Sequence, residues 1–195
     1  MARALSEEKR TLIKEESKKL FANRGFAATS VADIARVAGL PVGSIYTYFE
    51  NKEEIIRAIV EDGWLDLRDR LTEAMKEAES PTDRLRLLLN TFLPELFNDV
   101  DFITILLSEG IVYTRVEEKV SELSEIVTAS IPPLAKGVPG LKGFSAKDME
   151  AALLVYFLGI LDAVRIARVA NLGITPEDVL AFVRLTIRNA LGVSV

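Results

Sequence analysis

Helix starts are written into this chain again and again, and strand signals are not. Ser6 precedes Glu7 and Glu8, Ser30 stands three residues before Asp33, Asn51 three before Glu54, and Ser145 three before Asp148. Ser80 and Thr175 are each followed by a proline. A short side chain with an acceptor oxygen satisfies the free N–H groups of a helix's first turn. An acid three residues on, or proline at the first helical position, reinforces the start. No stretch shows sustained period-two alternation, no hairpin signal stands between alternating segments, and no fixed-period repeat occurs. The expected fold class is all-α, with about nine helices.

The first helix is expected from Ser6 to Gly25, with Ile13, Leu20 and Phe21 on one face. A short second helix runs from Val31 to about Ala38 on an apolar stripe of Val31, Ile34 and Ala35. Gly39 stops it, and Pro41 prevents a simple continuation. The third is expected over Val42 to Phe49, and Asn51 then starts a long fourth. Ala129 to Gly143, with three prolines and three glycines, reads as the main loop. The last two helices are expected at about 146–171 and 176–191.

With 195 residues, 49% hydrophobic and 27% charged, the chain has the balance of a soluble globular protein. It has no cysteine and no histidine. That excludes disulfides, thiol nucleophiles, histidine triads and the usual zinc sites, so no metal, no cofactor and no enzymatic role is expected. The longest apolar run, Ala151 to Leu161, is ended by Asp162. It is too short to cross a bilayer, and "MARALSEEKR" turns charged too soon for a secretory signal, so a cytoplasmic protein without a membrane partner is expected. Residues 1–52 hold nine Lys/Arg against six Asp/Glu, or +3. Residues 53–195 hold fifteen against twenty-three, or -8, giving the total of -5. A basic head on an acidic body points to a polyanion at the head only.

Two short helices around a tight glycine-containing turn, "SVADIARVAGLPVGSIYTYF", form a helix-turn-helix pattern. At about 100° per residue, Val42, Ile45, Tyr46 and Phe49 cluster on one side of the third helix, the expected core side. Gly43, Ser44, Thr47 and Tyr48 cluster on the other, uncharged side, which suits close contact with base edges and sugar-phosphate. On these angles Tyr46 is a core ring with its hydroxyl at the rim.

Residues 6 to about 60 resemble the DNA-binding head of the TetR family of one-component transcriptional regulators, through "LFANRGFAATSVADIARVAGL", "GSIYTYF" and "NKEEI" in that order and spacing. The resemblance implies a helix-turn-helix DNA-binding domain over 1–52 and a larger helical effector-binding and dimerisation domain over 53–195. It implies that Ser30 caps the second helix while touching phosphate. Val42, Gly43, Ser44 and Thr47 would meet the major groove of a double-stranded operator. Tyr46 and Tyr48 would reach phosphates through their hydroxyls, and Lys52 would bind a phosphate near its helix N-terminus. Pro41 and Val42 depart from the family's polar or basic habit there. The face also lacks Arg, Asn and Gln, the best bidentate base readers, so specificity would rest on Ser44, Thr47, methyl contacts and DNA shape. Arg3, Lys9 and Arg10 read either as a minor-groove arm or as a loose tail.

In the body, Trp64, Phe92, Phe97, Phe102, Tyr113, Tyr156 and Phe157 either line an apolar effector cavity or fill the core. Asn90, Asp162 and Arg165 stand as polar groups within apolar stretches. Asp162 and Arg165, one turn apart, either pair structurally or orient a polar end of an effector. The last two helices are too apolar for one packed face and are expected to pair across a two-fold axis in a homodimer. The expected function is a ligand-responsive, sequence-specific regulator, a repressor released by a small, largely apolar effector. The alternative is a helical ligand-binding or scaffold protein whose head does not bind DNA.

Overall fold

The computed structural model describes residues 2–115, 118–119, 121–122, 125–126 and 145–191; the expected loop over 129–143 lies outside them. Eight helices have defined limits among the described residues, and the described residues between 118 and 126 are helical as well. The architecture is all-α, as expected.

Helix α1 spans Ala2–Arg24. It begins four residues before Ser6, which is therefore an interior residue and not a cap. Ala, Arg and Leu upstream of Ser6 favour helix, so the backbone does not wait for the polar residue. Lys9 and Arg10 accordingly lie on a helix rather than on a free arm or tail; the Arg3 side chain is outside the described residues. Helix α2 spans Val31–Ala38 and α3 spans Val42–Tyr48. Phe49, expected in α3, is already extended, at φ -143° and ψ 130°. Helix α4 runs over Lys52–Glu77. It starts as expected, with Asn51 Oδ1 accepting from Glu54 N–H at 2.7 Å. The Glu54 carboxylate, however, accepts from Glu50 N–H rather than from Asn51.

Residues 81–98 form α5, with Ser80 as its cap. Its middle, Leu88–Phe92, widens to a π turn in which Leu93 N–H reaches back to Leu88 O. Pro94 gives the reason: it has no N–H for the carbonyl four residues back, and its ring crowds that turn. Residues 100–113 form α6, again with a π turn, at Leu106–Gly110. Helix α7 is Ala146–Val169 with a Ser145–Asp148 capping box, and α8 is Pro176–Leu191. Between them Asn171 and Gly173 take positive φ. No helix among the described residues is long and apolar enough to cross a membrane.

The chain divides into two compact units, Met1–Leu65 with Thr104–Val116, and Asp66–Ile103 with Glu117–Val195. The expected boundary at residue 52 is thus displaced. Ile55, Ile56, Ile59 and Val60 of α4 are buried in one cluster with Ile13, Phe21, Ile34 and Ile45, and Ile105 of α6 joins them. One long and two short helices cannot bury enough apolar surface alone, so the head recruits the first turns of α4 and part of α6. The other unit buries Leu71, Leu89, Phe97 and Ile103 from α4 to α6, Leu161 and Val164 from α7, and Leu180 and Val183 from α8.

Candidate nucleic-acid interface

Ser30 starts α2 through a reciprocal set of bonds. Its hydroxyl accepts from Asp33 N–H at 3.1 Å and donates to Asp33 Oδ2 at 2.6 Å, while its own N–H donates to the same carboxylate at 3.1 Å. Arg36 donates to the other carboxylate oxygen at 2.6 Å. These bonds hold the Asp33 carboxyl well below its usual range, Ser30 first and Arg36 next. Ser30 is therefore the expected cap, but its hydroxyl proton is already committed to Asp33. At the far end Gly39 is left-handed, at φ 66° and ψ 28°. Leu40 N–H then closes on Ala35 O at 2.9 Å, a glycine-terminated stop that turns the chain into α3.

The outward face of α3 differs from the expected one. Val42, Gly43, Tyr46 and Thr47 are exposed, Tyr46 by 55% and Val42 by 43%. Ile45 is buried, and Ser44 is partly covered. Tyr48 packs against the head core. The two tyrosines have thus exchanged places: Tyr46 faces outward and Tyr48 inward. The angular grouping of Val42 and Tyr46 with Ile45 and Phe49 put both inside. It also counted Phe49 as a helical residue, although the chain leaves the helix there. Only Ile45 and Tyr48, about 300° apart in the helical wheel, set the inner side, and Phe49 joins the core from extended backbone.

Lys52 is engaged within the head. Its ammonium donates to Phe26 O at 2.6 Å and Thr29 O at 2.7 Å, and it lies 4.1 Å from the centroid of the Phe26 ring. Two of its three hydrogens tie the first turn of α4 to the α1–α2 connection, which leaves one for a phosphate. Phe26 and Thr29, the partners, were not among the expected site residues; backbone carbonyls this far along the chain carry no local signal. Asp62 was not expected either, because its partners in α1 lie far away along the chain. It pairs with Lys14 at 2.5 Å and with Arg10 at 3.9 Å, joining α4 to α1. Arg10 also stacks 5.1 Å from the Phe49 ring.

The expected effector residues do not form one group. Tyr113 belongs to the head unit, where its ring lies 4.8 Å from that of Phe26. Trp64 is buried in the same unit. Phe92, Phe97 and Phe102 are buried in the other unit, whereas Asn90 and Tyr156 are exposed and Phe157 is half-buried. Asn90 points away from the buried side because Leu88, Leu89 and Phe92 occupy it. Arg165 donates to Asp162 at 2.7 Å, so those two form the ion pair that the one-turn spacing offers.

Residues 13–59 match the family model described as bacterial regulatory proteins, tetR family. The HTH-type transcriptional regulator TtgR of Pseudomonas putida is 36% identical over 95 residues, 49% of this chain and 44% of that protein. The uncharacterized HTH-type transcriptional regulator YuxN of Bacillus subtilis is 30% identical over 154 residues, 78% of this chain and 52% of that protein. The aligned segments span about half the length of these curated relatives. The fatty acid degradation regulator FadR from Bacillus halodurans has a similar fold, with a TM-score of 0.71 at 20% identity over 94% of each chain. So does the regulator FadR from Bacillus subtilis, solved in complex with stearoyl-CoA, with a TM-score of 0.68 at 18% identity over 95% of this chain and 98% of that one.

Proposed function

We propose that this chain, which belongs through residues 13–59 to the tetR family of bacterial regulatory proteins, is a ligand-responsive transcriptional regulator that binds a specific duplex operator and is released by a small, largely apolar effector. The observation that carries this reading is the α2–turn–α3 unit, whose second helix turns an uncharged, small-residue face to solvent. A solvated helix with no partner ordinarily carries Lys or Glu on that face. Phosphate contacts come from the remaining Lys52 hydrogen and the Tyr46 hydroxyl.

The acting species is a homodimer. Along α7, Val155, Tyr156, Gly159, Ala163 and Ile166 form an exposed stripe opposite the buried Leu161, Val164 and Ala167. On α8, Phe182 and Leu185 are exposed while Leu180 and Val183 are buried. An apolar stripe with Gly and Ala at its centre suits close packing against a second copy about a two-fold axis. Two heads then read two half-sites a whole number of turns apart. An effector with a long apolar part is supported by the Bacillus subtilis protein of similar fold, which holds stearoyl-CoA. An effector relieves repression only by binding the non-DNA state more tightly than the DNA-competent one. Helix α4, which has residues in both compact units, is the element to carry that difference.

Selection of bound duplexes from a random pool tests the reading. A shared half-site repeated at fixed spacing, with affinity that falls steeply as salt rises, is expected. Recovery of no common sequence at low salt, with or without acyl compounds present, would overturn it.

A further inference from the structure

The outward face of α3 is chemically narrow. It offers the isopropyl group of Val42, the bare backbone of Gly43, the ring and hydroxyl of Tyr46, and Thr47. Nothing on it can make the paired hydrogen bonds by which guanidinium or amide groups read guanine and adenine. Thr47 has its hydroxyl turned back on the helix, donating to Gly43 O at 3.2 Å, so that proton is not spent on a base. Gly43 has no internal reason to be glycine. Its φ is not left-handed, and a Cβ built there would meet nothing within 4 Å. Glycine weakens a helix, and this one is only seven residues long. A residue that costs stability and answers no contact within the chain makes sense if something outside must come close at that point.

We propose that α3 reads thymine through its 5-methyl group, with Val42, Tyr46 and Thr47 making the apolar contacts and Gly43 allowing the close approach. The proposal rests on the regulator reading and names what its recognition helix selects. In the major groove only the thymine edge carries a methyl group, and an apolar side chain distinguishes it without any hydrogen bond. Val42, which departs from the polar habit expected at this position, then becomes a specificity residue. Tyr46 can cover a methyl with its ring edge while its hydroxyl reaches the sugar-phosphate. Ser44, which is partly covered, and Tyr48, which packs against the head core, are left out of this readout.

The first arm of the test leaves the protein untouched. A duplex recovered by selection with the full chain is remade with each thymine in turn replaced by deoxyuridine, which removes the methyl and keeps the hydrogen-bonding edge. Affinity should fall about fourfold per methyl at one or more thymines of each half-site and stay unchanged at thymines outside them. In Val42→Ala, discrimination between thymine and uracil should shrink below about twofold at one of those positions, with helix content by circular dichroism unchanged. A specifically bound duplex that tolerates deoxyuridine throughout both half-sites overturns the proposal and leaves the regulator reading standing. So does a loss spread equally over thymines inside and outside the half-sites, which would report DNA shape. Failure to recover any specific duplex overturns both.

Discussion

Replacing Lys52 by methionine separates two uses of one side chain. Methionine keeps most of the length and the apolar stem and removes the ammonium. The ammonium makes two bonds to backbone carbonyls, at 2.6 and 2.7 Å, and sits 4.1 Å from the Phe26 ring centroid. A hydrogen bond from a charged donor contributes about 1.5–3 kcal/mol when sheltered, and a cation over a ring about 0.5–1 kcal/mol near the surface. Lys52 is partly exposed, and water can take over the freed carbonyls, so roughly half of the gross sum is lost, about 2–3 kcal/mol. For a chain of this size about 2–4 °C of midpoint accompanies each kcal/mol, so the thermal midpoint should fall by about 4–12 °C. Amide exchange over residues 26–30 should accelerate with it.

A lysine that served only as a hand for phosphate would behave otherwise. Its removal would change stability by less than about 0.5 kcal/mol, as for surface substitutions generally, and would only flatten the salt dependence of DNA binding by about one contact. Calorimetry on the DNA-free protein decides between these. A midpoint within about 2 °C of the parent's, with unchanged exchange over residues 26–30, would refute the anchoring role. If the third hydrogen also serves DNA, the salt slope falls as well, and the two effects add.

Gly43→Ala should raise the stability of the head by about 0.5–1 kcal/mol in urea and yet lower operator affinity tenfold or more; a stabilised variant that binds DNA normally would remove the argument for close approach. Asp33, Asp83, Asp148 and Asp178 each have their carboxyl lowered from 3.8, chiefly by the hydroxyl of Ser30, Ser80, Ser145 or Thr175. The folded state thus holds fewer protons than the unfolded one in this window, so their stabilisation is present above about pH 4 and lost as pH falls through the lowered values. The midpoint should be flat from pH 7 to 5 and drop below 4, and Asp33→Asn together with Asp148→Asn should make that acid limb shallower. Phe182, 64% exposed on α8, should when changed to Glu convert a dimer into monomers by sedimentation; a parent protein already monomeric at micromolar concentration would count against the two-fold pairing.

How much of this was legible beforehand depended on the range of the interactions. Caps and stops are local: Ser30 with Asp33, Ser145 with Asp148, and Gly39 all stand in the structure where the sequence puts them, because partners three or four residues apart meet whenever the helix forms. The Asp162–Arg165 pair is legible for the same reason. The facing of α3 was not. A seven-residue helix has only two turns, and its rotation is fixed by what α1, α2 and α4 bury against it rather than by its own pattern. Tyr46 and Tyr48 are equally apolar in sequence, and only the tertiary core decides which is covered. Lys52 shows the same limit, since its partners lie 26 and 23 residues away.

Phe26 is the side chain that joins these long-range terms, and it yields the most exacting expectation. Its carbonyl and its ring both hold Lys52, and its ring also packs on Phe21 at 5.2 Å and Tyr113 at 4.8 Å. Tyr113 reaches it from α6, just after the π turn at Leu106–Gly110. A π turn takes up one extra residue, so in unbroken α-helix the side chains beyond it would be rotated by about 100°. That widened turn therefore sets the phase that brings Tyr113 to Phe26. Tyr113→Ala removes a half-buried ring and should cost about 2 kcal/mol, and it frees the Phe26 ring to move. Once that ring has moved, the Lys52 ammonium has already lost part of its seat, so Lys52→Met costs less in the Tyr113→Ala background. The double variant should be more stable than the sum of the single effects allows by about 0.5–1.5 kcal/mol. Urea denaturation of the four proteins measures the difference. Additivity to within about 0.3 kcal/mol would mean that Phe26 does not connect them, and that Lys52 and Tyr113 brace the head independently.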